Sequence, residues 1–298
     1  MTHRRAVLLM IAVTLMWSIA GVVTRQLEAA RSFEVTFWRS AFNALGLVAL
    51  LAWLRGPATL WRSIREGGST LWISGVCWSV MFTAFMVALT LTTVANVLVT
   101  MAISPLLTAL ISRFALKQRL AARTWAAIFA AGVGIAWMYA HEIGGAEDPR
   151  SVLGTLIALA VPLASAINWT SIQHSARRHG EAAPDLLPAV LIGAVLSAAV
   201  TLPLAAPFEA SVHDLGLLAL LGVVQLAIPC LMVVAIARVL SAPEVALLAL
   251  LEVLFGVLWA WLGAHEAPSA SVLGGGALVL GALAANEAVG LKRAAALR

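Results

Sequence analysis

Ten stretches of the chain stay apolar for about as long as a helix needs to cross a bilayer: 6–24, 34–54, 71–90, 94–113, 124–140, 151–172, 186–205, 214–237, 243–262 and 270–290. A hydrocarbon core about 30 Å thick takes roughly 20 such residues in helical form. Inside lipid, a helix also satisfies its own backbone donors and acceptors, which an open strand cannot do. The pattern therefore predicts an all-α membrane protein with ten transmembrane helices joined by short loops, and no sizeable soluble domain. The charge supply agrees: 11% of residues are charged and mean hydropathy is +0.97, whereas a soluble domain carries about a quarter charged residues. The first stretch follows Met1-Thr2-His3-Arg4-Arg5, which superficially resembles a secretory signal. Its apolar run is too long for such a signal and no small-x-small cleavage site follows, so it reads as a retained first helix.

The basic residues orient the bundle. With the N-terminus cytoplasmic, 15 of the 19 Lys and Arg fall in cytoplasmic positions, and only Arg25, Arg31, Arg39 and Arg150 fall on the other side. Short loops rich in Lys and Arg stay in the cytoplasm, so both termini are expected inside a bacterial-type inner membrane. The same loops explain a pI near 10.2 through contact with anionic lipid headgroups, without nucleic acid.

Shifting the sequence by 148 residues superimposes its two halves. Trp17-Ser18-Ile19 meets Ser165-Ala166-Ile167 and Val97 meets Val245, while Asn96 falls on Glu244, Ser104 on Glu252 and Gln118 on Glu266. Five helices per half is an odd number, so residues 147–298 must enter the membrane with the opposite polarity to residues 1–146. Inverted repeats of this kind are common in secondary transporters, with substrate held near the midplane.

Ionisable groups within the spans are the first candidates for chemistry, since each costs about 2.5–3.5 kcal/mol to insert centrally. Glu252 lies in the ninth span, either as a protonated carboxyl joining two helices or as a proton-coupling or substrate-amine site. Arg39 in the second span is placed to bind a substrate carboxylate through its planar fork, or to snorkel to the interface and anchor its helix. Glu244 and Glu287 sit at span ends and are expected to be solvated. Asn96, Thr100 and Ser104 recur at i, i+4 and i+8 on one face. That stripe either lines a cavity, with Asn96 the leading candidate, or bonds to a neighbouring helix. Gln225 precedes Pro229 by one turn, where a freed carbonyl and a kink are expected; Pro105 and Pro162 offer the same elsewhere. Of eleven tryptophans, Trp53, Trp61, Trp72, Trp125, Trp137, Trp259 and Trp261 fall near span ends as an interfacial belt. Trp17, Trp78 and Trp169 lie deeper, and Trp78, Phe82 and Phe85 follow helical spacing, as packing or as a cavity wall. The Gly132/Gly134 and Gly274/Gly275/Gly276/Gly281 groups are expected to let the fifth and tenth helices pack closely.

The Trp17-Ser18 start, Phe37-Trp38-Arg39 opening the second helix, and Leu251-Glu252-Val253-Leu254 running on to Gly263-Ala264-His265-Glu266 resemble the EamA branch of the drug/metabolite transporter superfamily. Within it, the resemblance is to YddG-type amino-acid exporters. It implies a ten-helix carrier with a cavity between its halves, exporting amino acids or similar small amphipathic metabolites. The family's Gly-Glu at the ends of helices 4 and 9 is replaced here by Lys117-Gln118 and His265-Glu266.

Other classes find little footing. The six histidines form no ligand spacing, Cys77 and Cys230 lie inside spans without a CxxC, and no phosphate-binding glycine loop is present. No metal, cofactor or enzymatic activity is expected; the partners are the lipid bilayer and a small substrate, with the protein a monomer or weak homodimer. The reading is alternating access around a cavity. Trp17, Arg39, Trp78, Phe82, Asn96, Thr100, Trp169 and Gln225 line it, and Glu252 serves as proton-coupling or amine site. A passive facilitator on the same fold is the alternative.

Overall fold

The computed structural model describes residues 1–24, 26–30, 32–92, 94–117, 120–138, 149–180, 184–264 and 270–296. Gln118, His265 and Glu266 lie outside them, as does the side chain of Glu287. Among the described residues the protein is helical throughout, with no strand.

Ten apolar helical segments follow one another. They are α1 (His3–Trp17 and Ala20–Thr24), α2 (Ser32–Arg55), α3 (Gly68–Leu91), α4 (Val94–Met101 and Ser104–Ala115) and α5 (Ala122–Met138). After these come α6 (Pro149–Ala158 and Ala160–His179), α7 (Leu187–Ala205), α8 (Val212–Ile236, with a π-helical turn over Leu221–Ala227), α9 (Ala242–Ala249 and Leu251–Ala264) and α10 (Ala270–Ala296). Eight are long and apolar enough to cross a membrane, while α5 and α10 hold shorter apolar stretches, Ala122–Met138 and Ala270–Asn286. A surface helix, Pro57–Glu66, starts after Gly56 at φ 80° and turns Trp61 outward.

Helix pairs that carry no apolar advantage over lipid must associate through close backbone approach and polar contacts. Glycine supplies the approach. Gly75 on α3 faces Ile192 on α7, and a Cβ on Gly193 would lie 3.0 Å from both Gly75 O and Ser79 N. On the other side of the molecule, a Cβ on Gly222 of α8 would lie 2.6–2.8 Å from Phe42, Asn43 and Arg39 of α2, and Gly46 meets Val223. Gly46 and Gly193 stand 147 residues apart, as do Gly75 and Gly222. The α2–α8 crossing thus reuses the device of the α7–α3 crossing. The interruptions of α4 (Ala102-Ile103) and α9 (Leu250) stand 148 apart. The π turn of α8 lies between these two registers and widens the helix by the one extra residue that separates them.

Polar contacts supply the rest. Ser197 on α7 bonds both Ser40 on α2 and Thr83 on α3, each at 2.9 Å. Hydroxyl pairs run along α6: Thr92, at the end of α3, with Ser151 at 2.8 Å, and Ser104 and Ser112 of α4 with Ser165 at 2.9 Å and Thr170 at 3.3 Å. The glycine grouping on α5 and α10 resolves unevenly. Gly134 and Gly275 touch backbone to backbone, whereas Gly132 and Gly281 face open space. Trp53, Trp61, Trp72, Trp137 and Trp261 are exposed on the outside, while Trp259 turns inward and donates to Ser18 Oγ at 2.9 Å.

Candidate functional site

One cavity, about 930 Å³ including its open mouth, lies in the middle of the bundle. Residues from α1, α2, α3 and α4 wall one part of it and residues from α6, α8 and α9 the other. The helix interruptions of α4 and α9 both reach it. Leu98 and Ala246, Met101 and Ala249, and Ser104 and Glu252 all line it, each pair 148 residues apart. Non-helical backbone at membrane depth is tolerated where it is covered by protein or faces a cavity.

The structure brings Trp17, Arg39, Trp78, Phe82, Trp169, Gln225 and Glu252 to this one cavity. Asn96 and Thr100 do not line it. Asn96 donates to Thr92 Oγ1 at 2.9 Å and approaches Ser151 at 3.5 Å, and Thr100 donates to the carbonyl of Asn96 at 2.6 Å. Asn96 and Ser104 both bond toward α6, to Ser151 and Ser165, and only Ser104, directly after the interruption at Ala102-Ile103, also lines the cavity.

Arg39 is 5% exposed and lines the cavity, so its guanidinium does not snorkel to the interface. Among the described residues neither Arg39 nor Glu252 makes a side-chain hydrogen bond or an ion pair within 4.0 Å, and Arg39 Nε is a buried donor with no acceptor. A buried guanidinium is costly unless paired. The position of Arg39 is fixed by its helix, because Gly222 lets α8 approach to within contact of the Arg39 carbonyl.

Gln225 sits inside the π turn of α8. Its Nε2 donates at 3.2 Å to the carbonyl of Trp17, the last residue before α1 breaks, and its Oε1 is buried without a donor. In the aromatic wall, Trp78 lies 5.4 Å from Trp169 in a T-shaped pair and 5.4 Å from Phe82 with the rings tilted by 32°. Cys230, Ser104, Ser165 and Pro162 also line the cavity. None of these four was among the expected lining residues, although Ser104 belonged to a stripe weighed as cavity-lining and fell on Glu252 in the repeat, and Pro162 was weighed as a kink beside a cavity. No group of three or more metal-ligating side chains occurs among the described residues.

Comparison with known proteins assigns the class. Residues 4–140 match the EamA-like transporter family. The chain carries an EamA transporter domain. With its apolar helices, this domain marks a multi-pass membrane protein. No curated protein matches the sequence. A crystal structure of a protein is similar over 95% of this chain and 97% of its own, with a TM-score of 0.73 and 20% sequence identity. At that identity the chain shares the fold with it, and the likeness carries nothing about substrate.

Proposed function

We propose that this EamA protein is a secondary transporter of the inner membrane that exports amino acids or similar small amphipathic metabolites by alternating access. The observation that carries the reading is the pair Arg39 and Glu252, opposite charges that face one cavity and attract each other without a hydrogen bond or an ion pair within 4.0 Å. A zwitterion fits between the two charges and gives each a direct contact. Its carboxylate takes the planar guanidinium fork of Arg39, and its ammonium takes Glu252. The buried acceptor Gln225 Oε1 belongs to the same wall. Trp17, Trp78, Phe82 and Trp169 offer the apolar surface for a side chain. When no substrate is bound, Glu252 is the one acid in the wall able to take a proton, which makes it the coupling group if transport is proton-driven.

Ten crossings in two inverted halves, 1–146 and 147–298, with both termini cytoplasmic, is the topology that goes with this mechanism. The recurrence of the glycine crossings and of the α4 and α9 interruptions supports it, since broken helices at corresponding positions of two repeats mark midplane binding sites in carriers.

The test is counterflow into proteoliposomes of an amino acid, the amine lacking its carboxylate, and the acid lacking its amine. The carrier reading expects saturable exchange of the amino acid well above either fragment. Equal, non-saturating flux of all three would replace the carrier with a passive facilitator.

A further inference from the structure

We infer that the cavity holds a second polar subsite, on the seam between α4 and α6, built to accept a hydrogen bond from a neutral donor on the substrate side chain. The inference rests on the reading of the cavity as an amino-acid site.

Ser104 is the first residue of the second half of α4, directly after the interruption, and it stands 148 residues before Glu252 in the equivalent half of α9. Both line the cavity. The repeat therefore places two side chains at matching points of the wall, one a carboxyl and one a hydroxyl.

The direction of the Ser104 proton follows from its neighbours. Ser165 Oγ lies 3.0 Å from the carbonyl oxygen of Pro162, which can only accept, so the single hydroxyl proton of Ser165 is directed there. Ser104 Oγ lies 2.9 Å from Ser165 Oγ. With the Ser165 proton already used, Ser104 must be the donor in that contact. Its own proton is then committed to the wall, and only lone pairs of Ser104 Oγ remain for the cavity. Ser165 is 8% exposed and is held by α6, so this polarity is built into the seam.

The chemistry this selects is a hydroxyl or a carboxamide N–H on the side chain. The substrate's ammonium is drawn to the carboxyl of Glu252, which attracts a cation more strongly than a hydroxyl does. A side-chain acceptor such as a carboxylate finds only lone pairs at Ser104 and is disfavoured. Ser104 thus reads the side chain, and Ser165 is a positioning residue that acts through it.

Threonine and valine are nearly isosteric and differ by one hydroxyl for one methyl, so their exchange ratio isolates the subsite. Counterflow of each is measured for the wild type, Ser104→Ala and Ser165→Ala, with melting in detergent confirming that each variant folds. Loss of one such hydrogen bond is expected to lower the threonine-to-valine ratio about 2- to 10-fold in Ser104→Ala. Ser165→Ala keeps the Ser104 oxygen and should change the ratio by less. A ratio unchanged in Ser104→Ala, with both amino acids still exchanged, overturns the subsite and leaves the cavity reading intact. If the wild type exchanges neither amino acid, the amino-acid reading falls and the subsite falls with it.

Discussion

The two ends of the bundle are closed in different ways. At the end where α2 and α8 begin, closure is by buried carboxylates. Glu34 accepts from the backbone of Glu209 and Ala210 and from the indole of Trp38. Asp214 accepts from the backbone of Glu28, Ala29, Ala30 and Ser211. Each acid reaches across to the loop that precedes the other's helix, so the two loops clasp reciprocally, and Glu34 and Asp214 are 3% and 0% exposed. At the end where α1 and α9 begin, closure is by partly exposed contacts: His3 with Glu244 at 3.4 Å, an ion pair when the imidazole is protonated, and Arg55 with Asp185 at 2.6 Å. Hydrogen bonds to a buried charge are worth about 1.5–3 kcal/mol each, whereas exposed ion pairs are worth about 0–1 kcal/mol. The ion-paired end is therefore the one that parts at lower cost, and the clasped end is the firmer of the two.

Removing the clasp should have the largest effect. Asp214→Ala strips four backbone N–H groups of their acceptor and should cost about 3 kcal/mol or more, seen as a large fall in melting temperature in detergent. A fall no greater than that of an exposed ion-pair variant would erase the distinction between the ends. Next comes Gly222→Leu, which forces a side chain into the α2 backbone just below the clasp. It should cost about 1–3 kcal/mol, and the melting curve would contradict the packing if it matched wild type. Glu34→Gln keeps one acceptor oxygen but loses the charge, for an expected cost of about 1–2 kcal/mol in the same assay. His3→Ala should be the mildest, below about 1 kcal/mol and indistinguishable from wild type at high salt. A large, salt-insensitive loss there would mean that the ion-paired end is not the weaker one.

Much of this molecule could be read from its residues, and what could not has a physical reason. The apolar blocks located the apolar helical segments, because bilayer thickness leaves little freedom in length, but not the polar surface helix Pro57–Glu66. Periodicity also put Trp78 and Phe82 on a common face, and the structure turns that face to the cavity. Periodicity put Asn96 and Ser104 on a face that could line a cavity or bond to a neighbouring helix; both bond toward α6, and only Ser104 also lines the cavity. The π turn around Gln225 was invisible: one extra residue in an apolar run leaves no mark in composition, and the constant offset of 148 conceals the 147-residue spacing of Gly46 with Gly193 and Gly75 with Gly222. Glu244 at a helix end was expected to be solvated. It instead closes a capping box with Ser241 and meets His3, a contact between residues 241 apart that local sequence does not reveal. The clasp of Glu34 and Asp214 was missed for the same reason, since its partners are backbone groups 175–186 residues away.

The central claim is that Arg39 and Glu252 divide the recognition of a zwitterion between them. The most direct measurement is counterflow of a matched amino acid, amine and carboxylic acid in the wild type, Arg39→Gln and Glu252→Gln. The account predicts opposite shifts. Arg39→Gln should lose the amino acid and move toward the amine, while Glu252→Gln should lose it and move toward the carboxylic acid. If both variants keep the wild-type order of preference, neither charge reads the substrate and the assignment of this cavity is wrong.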